Sequence, residues 1–299
     1  MGTVSEGSKE KRFRFIADYR ECFGVRYLCR SLHVSPAGFY KWLNKPVSAR
    51  FIANTELIRM IRELFDQHDG NYGSPRIYRE LVNQGVTVNH KRVERIMREE
   101  RLVAKAAKLY RRKALPVNPC ITVENLRYNI PPPCAPNQQW AGDVSYLKVK
   151  GEWIYFSVIL DLYSRKVIGW SLGKDRTTEL TLKSLDMALK ARKFESGLIF
   201  HSDKGSEYGA HIYQNKLRSV GILPSMNRKN TMTDNIHVES FFRTFKTESF
   251  CGEVFENISH LRDITKWYLE DYYNCQRMHT SLGFKSPVHY ERMKHDVHH

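Results

Sequence analysis

Three acidic residues stand at positions where they could share one metal-dependent site. Asp143 lies on the first of several predicted strands, Asp203 directly follows the fourth, and Glu239 lies about one turn into a predicted helix. Ligands of α/β layers usually bind at strand ends, so neighbouring strands and a helix packed across them could bring the three carboxylates together. Taken singly, each has an ordinary alternative: a charge at a strand edge, a turn residue and a solvated helix acid.

The chemistry of such a cluster is specific. Clustered carboxylates repel one another and stay ionised only beside a compensating cation. Hard oxygen ligands favour Mg²⁺ or Mn²⁺, and two such ions about 3.5–4 Å apart can hold both the attacking and the leaving oxygen of a phosphoryl group. The three residues therefore predict a metal-dependent phosphoryl-transfer site with no covalent enzyme intermediate.

The elements that would position these residues begin with three strands. Alternating and strongly apolar stretches predict strands at 140–149, 153–160 and 167–172, joined by tight turns into an antiparallel meander. Helices and short strands follow at 178–192, 198–202, 208–220, 222–225, 235–247 and 261–274. This order predicts an α/β protein with a mixed sheet and helices on its faces.

The N-terminal part is predicted to be all-helical. Ser35 before Pro36 favours a helix start, and helices at 25–32 and 36–43 have helix-turn-helix spacing, although a plain helical hairpin fits equally well. After an amphipathic helix at 52–67, helices at 76–84 and 89–100 form a second unit. Its cationic face could lie in a major groove, and a solvated basic surface is the alternative. The residues predicted to contact DNA here are Arg76, Lys91, Arg92, Arg95 and Arg98.

The charge balance favours a polyanionic partner. The 299 residues carry 48 Lys and Arg against 32 Asp and Glu, a net charge of +16. Residues 1–115 hold 24 basic and 12 acidic side chains, a net of +12, which leaves +4 for the rest. A positive field concentrated in this way is typical of nucleic-acid binding, whereas an ordinary basic surface is the simpler alternative.

Composition excludes several other classes of protein. A hydrophobic fraction of 41% rules out wholesale disorder. No apolar run approaches the roughly 18–20 residues that cross a bilayer, so no membrane partner is expected. The six cysteines show neither CxxC pairs nor metal-ligand spacing, which indicates reduced thiols and a cytoplasmic location.

A family resemblance rests on the acidic triad and the motifs around it. Asp203 and Glu239 are separated by 35 residues. The matching core stretches are Gln139-Trp140 to Asp143, His201-Ser202-Asp203-Lys204-Gly205-Ser206, Asp234-Asn235 with Glu239-Ser240-Phe241-Phe242, Lys246-Thr247-Glu248, and Tyr273-Asn274, Arg277, His279, Leu282-Gly283 and Ser286-Pro287. The N-terminal half matches through Val34-Ser35, Gly38-Phe39-Tyr40, Trp42-Leu43, Tyr72-Gly73 and Pro75-Arg76-Ile77. With these motifs the chain resembles the second-frame products (OrfB) of insertion sequence 3 family transposases, relatives of retroviral integrases.

The resemblance implies a ribonuclease-H-like core of five strands with flanking helices, preceded by all-α DNA-binding domains. It makes Asp143, Asp203 and Glu239 the metal-binding catalytic triad, with two Mg²⁺ or Mn²⁺ ions, and makes Lys246 a contact to the DNA end. Seven residues are about two helical turns, so Lys246 is expected on the face of Glu239. The expected divisions are a helix-turn-helix region at 12–50, a second helical DNA-binding domain at 51–103, a basic, Pro-rich linker at 104–136, the catalytic core at 137–250 and a helical extension at 251–299.

The same resemblance implies the reaction and its partners. The chain is expected to bind the terminal inverted repeats of a mobile element, cut them with water, and join the freed 3′-hydroxyl to another DNA strand through a circular intermediate. Double-stranded DNA, as terminal repeats and as target, is the expected partner. A homo-oligomer on paired ends, association or fusion with the first-frame product, and a place at the bacterial nucleoid are also expected.

Two alternatives stay open. One is a ribonuclease-H-type nuclease that cuts without joining, and the other is a catalytically inactive protein that only occupies DNA ends. Asp161, His201, Glu207 and His237 lie close to the triad in sequence or in the predicted sheet. We expect them to serve turns, packing or loop orientation rather than catalysis.

Overall fold

The computed structural model describes residues 8–44, 49–105, 123–228 and 232–295. The chain divides into two compact units, Met1–Arg62 and Glu63–His299. Most of the predicted linker at 104–136 lies outside the described residues, between 105 and 123. The five-part division of the chain therefore stays a prediction.

The first unit is built from three short helices and the start of a fourth. The predicted helices are confirmed as α2 (Val25–Ser31) and α3 (Pro36–Leu43), with α1 (Lys9–Phe23) before them. The Ser35 hydroxyl caps α3 by accepting a hydrogen bond from the Gly38 amide at 3.1 Å, which satisfies one of the amides that a helix start leaves free. Ile16, Cys29 and Phe39 form its buried core. Helix α4 (Ala49–Gln67) runs from this unit into the second.

A two-helix unit opens the second part of the chain, as expected. Helices α5 (Ser74–Asn83) and α6 (His90–Glu99) bury apolar side chains against each other, while the basic residues of α6 face outward. The Asn89 side chain caps α6 by accepting a hydrogen bond from the Lys91 amide at 2.8 Å. The buried side chains are Ile77, Leu81, Val93, Ile96 and Met97.

A five-stranded mixed sheet forms the centre of this second unit. Strands β1 (Gln139–Val149), β2 (Glu152–Asp161) and β3 (Val167–Gly173) form the predicted antiparallel meander, and β4 (Ile199–Ser202) and β5 (Leu223–Met226) add in parallel. The strand order is β3-β2-β1-β4-β5. This sheet, with helices on both faces, is the expected ribonuclease-H-like architecture.

The register of β1 against β4 positions the strand ends. Ala141 pairs with His201 in this parallel ladder. Two residues further along each strand come Asp143 and Asp203, so the two aspartates lie side by side where the strands separate.

Helices cover the two faces of the sheet with separate cores. On one face, α7 (Thr178–Ala191) and α9 (His211–Ser219), the latter preceded by the short helix α8 (Ser206–Gly209), pack against β1, β3 and β4. On the other, α10 (Ile236–Phe245) and α11 (Ile258–Trp267) pack on β1 and β2. The predicted helices 235–247 and 261–274 both end in wider π-helical turns, Lys246–Phe250 and Tyr268–Tyr273. Helix α12 (Pro287–His295) closes the described chain.

None of the helices in the described ranges combines the length and apolar character that a bilayer crossing requires.

We expect Gly169→Ala to destabilise the second unit, because β3 and α7 touch at this glycine. A Cβ atom there would lie 2.1 Å from the Ser184 carbonyl oxygen and 3.0 Å from the Ala188 amide nitrogen. Backbone atoms cannot move aside cheaply, so we expect a loss of about 1–3 kcal/mol or more in the free energy of unfolding, measured by urea denaturation. Gly73→Ala is the control, since its nearest neighbours would lie 3.8 and 4.0 Å away; equal midpoints for the two variants would refute the close approach.

Candidate active site

Asp143 sits in the middle of β1 with its carboxylate at the edge of the core. It is half-buried, and its Oδ1 accepts a hydrogen bond from the Val144 amide at 2.8 Å. Burial raises the pKa of Asp143 well above its usual range, and the negative charges of Asp203 and Glu239 raise it further. Asp143 is therefore in electrostatic contact with both other acids of the predicted triad.

Asp203 occupies the loop that leaves β4. Its Oδ1 accepts a hydrogen bond from the Gly205 amide at 2.9 Å, and its backbone oxygen accepts one from the Ser202 hydroxyl at 2.9 Å. Burial and the neighbouring Glu207 charge raise the pKa of Asp203, while Arg176 opposes this rise. The parallel register of β1 and β4 thus places Asp203 beside Asp143, at the point where the two strands diverge.

Glu239 approaches the same strand from helix α10. The buried Asn235 side chain, one residue before α10, donates a hydrogen bond to the Gly142 carbonyl oxygen at 3.2 Å, next to Asp143. Val238 and Phe241 are buried in the core on this side of the sheet, so Glu239 is left on the exposed side of the helix. Partial burial raises its pKa, and Arg243 opposes the rise.

Arg176 is the cation that faces the acidic cluster. Its guanidinium lies 2.6 Å from Glu207 and 3.7 Å from Asp203, and the Asp143 charge attracts it as well. Glu207 is only 1% exposed, so this pairing is what allows a carboxylate to be buried beside the two aspartates. One arginine therefore balances part of the charge of several acids, and the rest calls for another cation.

The chemistry of the three carboxylates fits a divalent metal ion, whereas their present spacing does not yet form a closed site. Within the described ranges, no group of three His, Cys, Asp or Glu side chains is gathered so that it could hold an ion. Mg²⁺ and Mn²⁺ favour hard oxygen ligands such as carboxylates. Carboxylates that raise one another's pKa also gain most from a bound cation, because it offsets their repulsion. Asp143 and Asp203 would supply the first ligands, and Glu239 would complete them from α10.

Lys246 lies near this cluster, as its predicted role requires. Its Nζ is 4.9 Å from the centre of the Tyr146 ring. Burial lowers the pKa of Lys246, while the Asp143 charge raises it. Helix α10 ends at Phe245, and Lys246 begins the π-helical turn that continues it, so the expectation that Lys246 shares the face of Glu239 stays a prediction.

The residues predicted to contact DNA separate into two groups. Lys91, Arg95 and Arg98 are exposed and Arg92 is half-buried on the outer side of α6. Arg76 instead points inward, where its Nη1 donates to the Asn71 carbonyl oxygen at 3.3 Å and lies 3.8 Å from the Glu248 carboxylate. Contact with DNA stays a prediction for all five.

The residues with expected supporting roles have them. His201 is buried and bridges Ser225 and Asn227 at 2.9 and 2.8 Å, and burial lowers its pKa to about 4, so it is neutral. Asp161 accepts hydrogen bonds from the amides of Asn137 and Tyr163 at 2.8 and 2.9 Å. Asp161 therefore holds backbone beside the strands, whereas His201 links the side chains of Ser225 and Asn227.

Two unpredicted ion pairs, among those of the described residues, involve buried glutamates in or beside the matching motifs. Arg176 with Glu207 is one, and Arg277 with Glu248 is the other, with contacts of 2.6 and 2.7 Å between two buried side chains. Glu248 and Arg277 stand in matching motifs, but their 29-residue separation gives no sign of the pairing. The only sequence feature that pointed to Glu207 was its position four residues after Asp203.

We expect Arg176→Met to lower the free energy of unfolding by about 2–3 kcal/mol, because it leaves Glu207 buried without a partner. The value is below the 3–5 kcal/mol of a fully buried pair because the Arg176 side chain is 43% exposed. The double variant Arg176→Met/Glu207→Leu should recover most of the loss in urea denaturation. Lys174→Met, which breaks an exposed pair with Glu152, should stay within about 1 kcal/mol of wild type. A double variant no more stable than the single one would contradict this role.

Family models match most of the chain. An "Integrase core domain" model matches residues 133–231, a second model of that description matches 220–287, and an "HTH-like domain" model matches 53–113. The first covers β1 to β5 with Asp143 and Asp203, and the second covers α10 with Glu239.

Solved integrase structures are similar at a lower level. The HTLV-2 integrase catalytic core domain in complex with magnesium aligns at 19% identity with a TM-score of 0.40, covering 53% of this chain and 98% of that one. A chain of the simian T-cell lymphotropic virus intasome in complex with PP2A regulatory subunit B56 gamma aligns at 15% identity with a TM-score of 0.44, covering 77% of this chain and 74% of that one.

Curated relatives match over nearly the whole length. The transposase InsF for insertion sequence IS3A of Escherichia coli strain K12 is 35% identical over 287 residues, which cover 94% of this chain and 98% of the relative. The insertion element IS600 uncharacterized 31 kDa protein of Shigella sonnei is 34% identical over 90% of this chain and 99% of its own length. The chain belongs to the insertion sequence 3 family of transposases.

Proposed function

We propose that this transposase cuts and joins DNA at a site made by Asp143, Asp203 and Glu239. The observation that carries the proposal is the parallel register of β1 and β4, which brings Asp143 beside Asp203 where the two strands diverge, with the Glu239 charge acting on Asp143 from α10. Such crowding is costly unless cations are bound there, so it is the feature expected of a site that awaits metal ions. The substrate of the family, DNA, supplies the phosphodiester.

The chain's own residues would divide the work as follows. The three carboxylates would hold two Mg²⁺ or Mn²⁺ ions, which when bound polarise the phosphoryl oxygens and promote deprotonation of the attacking water or 3′-hydroxyl. Asn235 keeps α10 fixed against Gly142 and so keeps Glu239 in reach of Asp143. Lys246, over the Tyr146 ring, would bind a phosphate of the DNA end beside the acids.

The helical parts would bind the DNA that the core acts on. Lys91, Arg92, Arg95 and Arg98 lie along α6, and this helix buries its opposite face against α5. A helix with one cationic and one apolar face fits a major groove with its charges toward the phosphates. We propose that this unit and the N-terminal three-helix unit recognise the terminal inverted repeats.

Paired DNA ends imply more than one copy of the chain. Joining one end to the other requires both to be held at once, so we propose a homo-oligomer on the paired ends, with the first-frame product as a further partner or fusion.

Carboxamide variants of the triad test the proposal. Asp143→Asn, Asp203→Asn and Glu239→Gln keep the shape of each side chain but remove its charge. Each should lower Mg²⁺-dependent cutting and joining of labelled element ends by on the order of 10³-fold, since loss of a metal ligand removes several kcal/mol of transition-state stabilisation. Binding of the same ends should persist in gel-shift assays without metal. The exposed Asp263→Asn on α11 is the matched control and should leave all three activities unchanged.

The products decide between the proposal and its alternatives. Strand joining by wild type supports the transposase mechanism. Cutting with no joined product would favour a ribonuclease-H-type nuclease. Triad variants with wild-type levels of both reactions would show that the three acids are not the catalytic site.

A further inference from the structure

A basic cleft lies beside the catalytic helix, on a face that the proposed reaction does not use. It has a volume of about 170 Å³, enough for on the order of five water molecules. Its wall on α10 is formed by Ser240 and Thr244, and opposite them stand three arginines, Arg76, Arg165 and Arg277.

A second cleft of about 290 Å³ adjoins the first and extends it. The two share Arg165, His237 and Ser281, and the second adds Arg127 at its far end. We call the two clefts together the arginine trench, defined by Arg76, Arg277, Arg165 and Arg127. Two adjoining clefts lined by four arginines can hold more than one phosphate of a linear anion.

Positive charge in the trench exceeds the negative charge that faces it. Glu248 pairs with Arg277 at 2.6 Å and lies 3.8 Å from Arg76. Within the described ranges, Arg127 and Arg165 have no carboxylate within ion-pair distance: Arg127 donates to the Gln139 side chain and the Asp234 backbone oxygen, and Arg165 to the Leu162 backbone oxygen.

Two further carboxylates act on these arginines from a distance. Asp161 attracts Arg165 and Asp234 attracts Arg127. Asp161 is already held by backbone amides, and Asp234 is paired with Arg228 at 3.1 Å. Neither carboxylate therefore neutralises the excess positive charge of the trench. The half-buried guanidinium groups of Arg127 and Arg165 can each pair with an anion.

The other polar groups of the trench suit an oxyanion. Burial and the neighbouring arginines lower the pKa of His279 to about 2, so its ring is neutral. Hydroxyls from Ser240, Thr244 and Ser281 add hydrogen-bond donors. Arginine forks and hydroxyls together are the groups that contact DNA phosphates.

The trench also has a suitable position relative to the triad. Ser240 and Thr244 are four residues apart and share one face of α10, next to the face that carries Glu239 and Arg243. A strand lying in the trench would therefore run along the flank of the helix that carries a catalytic acid.

We propose that the arginine trench binds the sugar-phosphate backbone of a DNA strand and so guides it past the active site. This inference rests on the proposed function, which supplies DNA as the substrate. Its ligand class is the phosphodiester, contacted without regard to base sequence.

The test is the salt dependence of DNA binding by the full chain without divalent metal. The probe is a fluorescein-labelled duplex of mixed sequence, followed by anisotropy in a KCl series. Arg165→Gln and Arg127→Gln should each weaken binding several-fold and reduce the slope of log K against log salt by about 1, because each removes one phosphate contact. Arg165→Lys keeps the cation and should restore the slope.

The controls separate this inference from the proposed reaction. Arg218→Gln, an exposed arginine on α9, should keep the wild-type slope. Asp263→Asn, an exposed acid on α11, should also bind like wild type. Because binding is measured without metal and without turnover, failure of the proposed catalysis would leave the trench result standing. Circular dichroism melting checks folding, and if Arg165→Gln does not fold, the Arg127→Gln slope decides alone. Folded trench variants with wild-type affinity and slope would overturn the proposal.

Free inorganic phosphate presents the same oxyanion groups as the DNA backbone and is the other ligand that the trench could bind. Melting in potassium phosphate and in KCl at equal ionic strength distinguishes it. If phosphate raised the melting temperature of wild type but not of Arg165→Gln, while the DNA slopes of the two stayed equal, the trench would be a site for free phosphate and the DNA assignment would be wrong.

Discussion

Negative charge packed where two parallel strands diverge is the constraint around which this fold is organised. Asp143 and Asp203 meet there because β1 and β4 pair in parallel register, and Glu207 is buried just behind them. Arg176 offsets only part of this charge. A cluster of like charges is costly unless a cation offsets it, and this is why the cluster favours a divalent ion as its ligand.

The rest of the core holds strands β1 and β4 and helix α10 in place. Gly169 lets α7 press against β3 on one face, and the aromatic side chains of α10 pack around Phe156 on the other. Asn235 ties the start of α10 to β1, and a π-helical turn that begins at Lys246 continues the helix. The polar side chains of the candidate site are thus held by strands and helices that pack against one another through apolar side chains.

Much of this arrangement could be predicted because it depends on local pattern. Alternation in β1 and the apolar run of β2 determined the meander, and the 35-residue spacing pointed to Asp203 and Glu239. Pairings between distant residues could not be predicted, since no periodicity connects Arg76 or Arg277 with Glu248. The same holds for the π-helical turn at Lys246, because helical arithmetic assumes 3.6 residues per turn throughout.

Metal binding by the triad is the central claim, and anomalous diffraction from Mn²⁺-soaked crystals of the chain with a DNA duplex tests it most directly. We expect anomalous peaks about 2.1 Å from carboxylate oxygens of Asp143 and Asp203, with Glu239 drawn in from α10. Manganese bound elsewhere, with Glu239 still apart from both aspartates, would contradict the assignment of these three acids to one site.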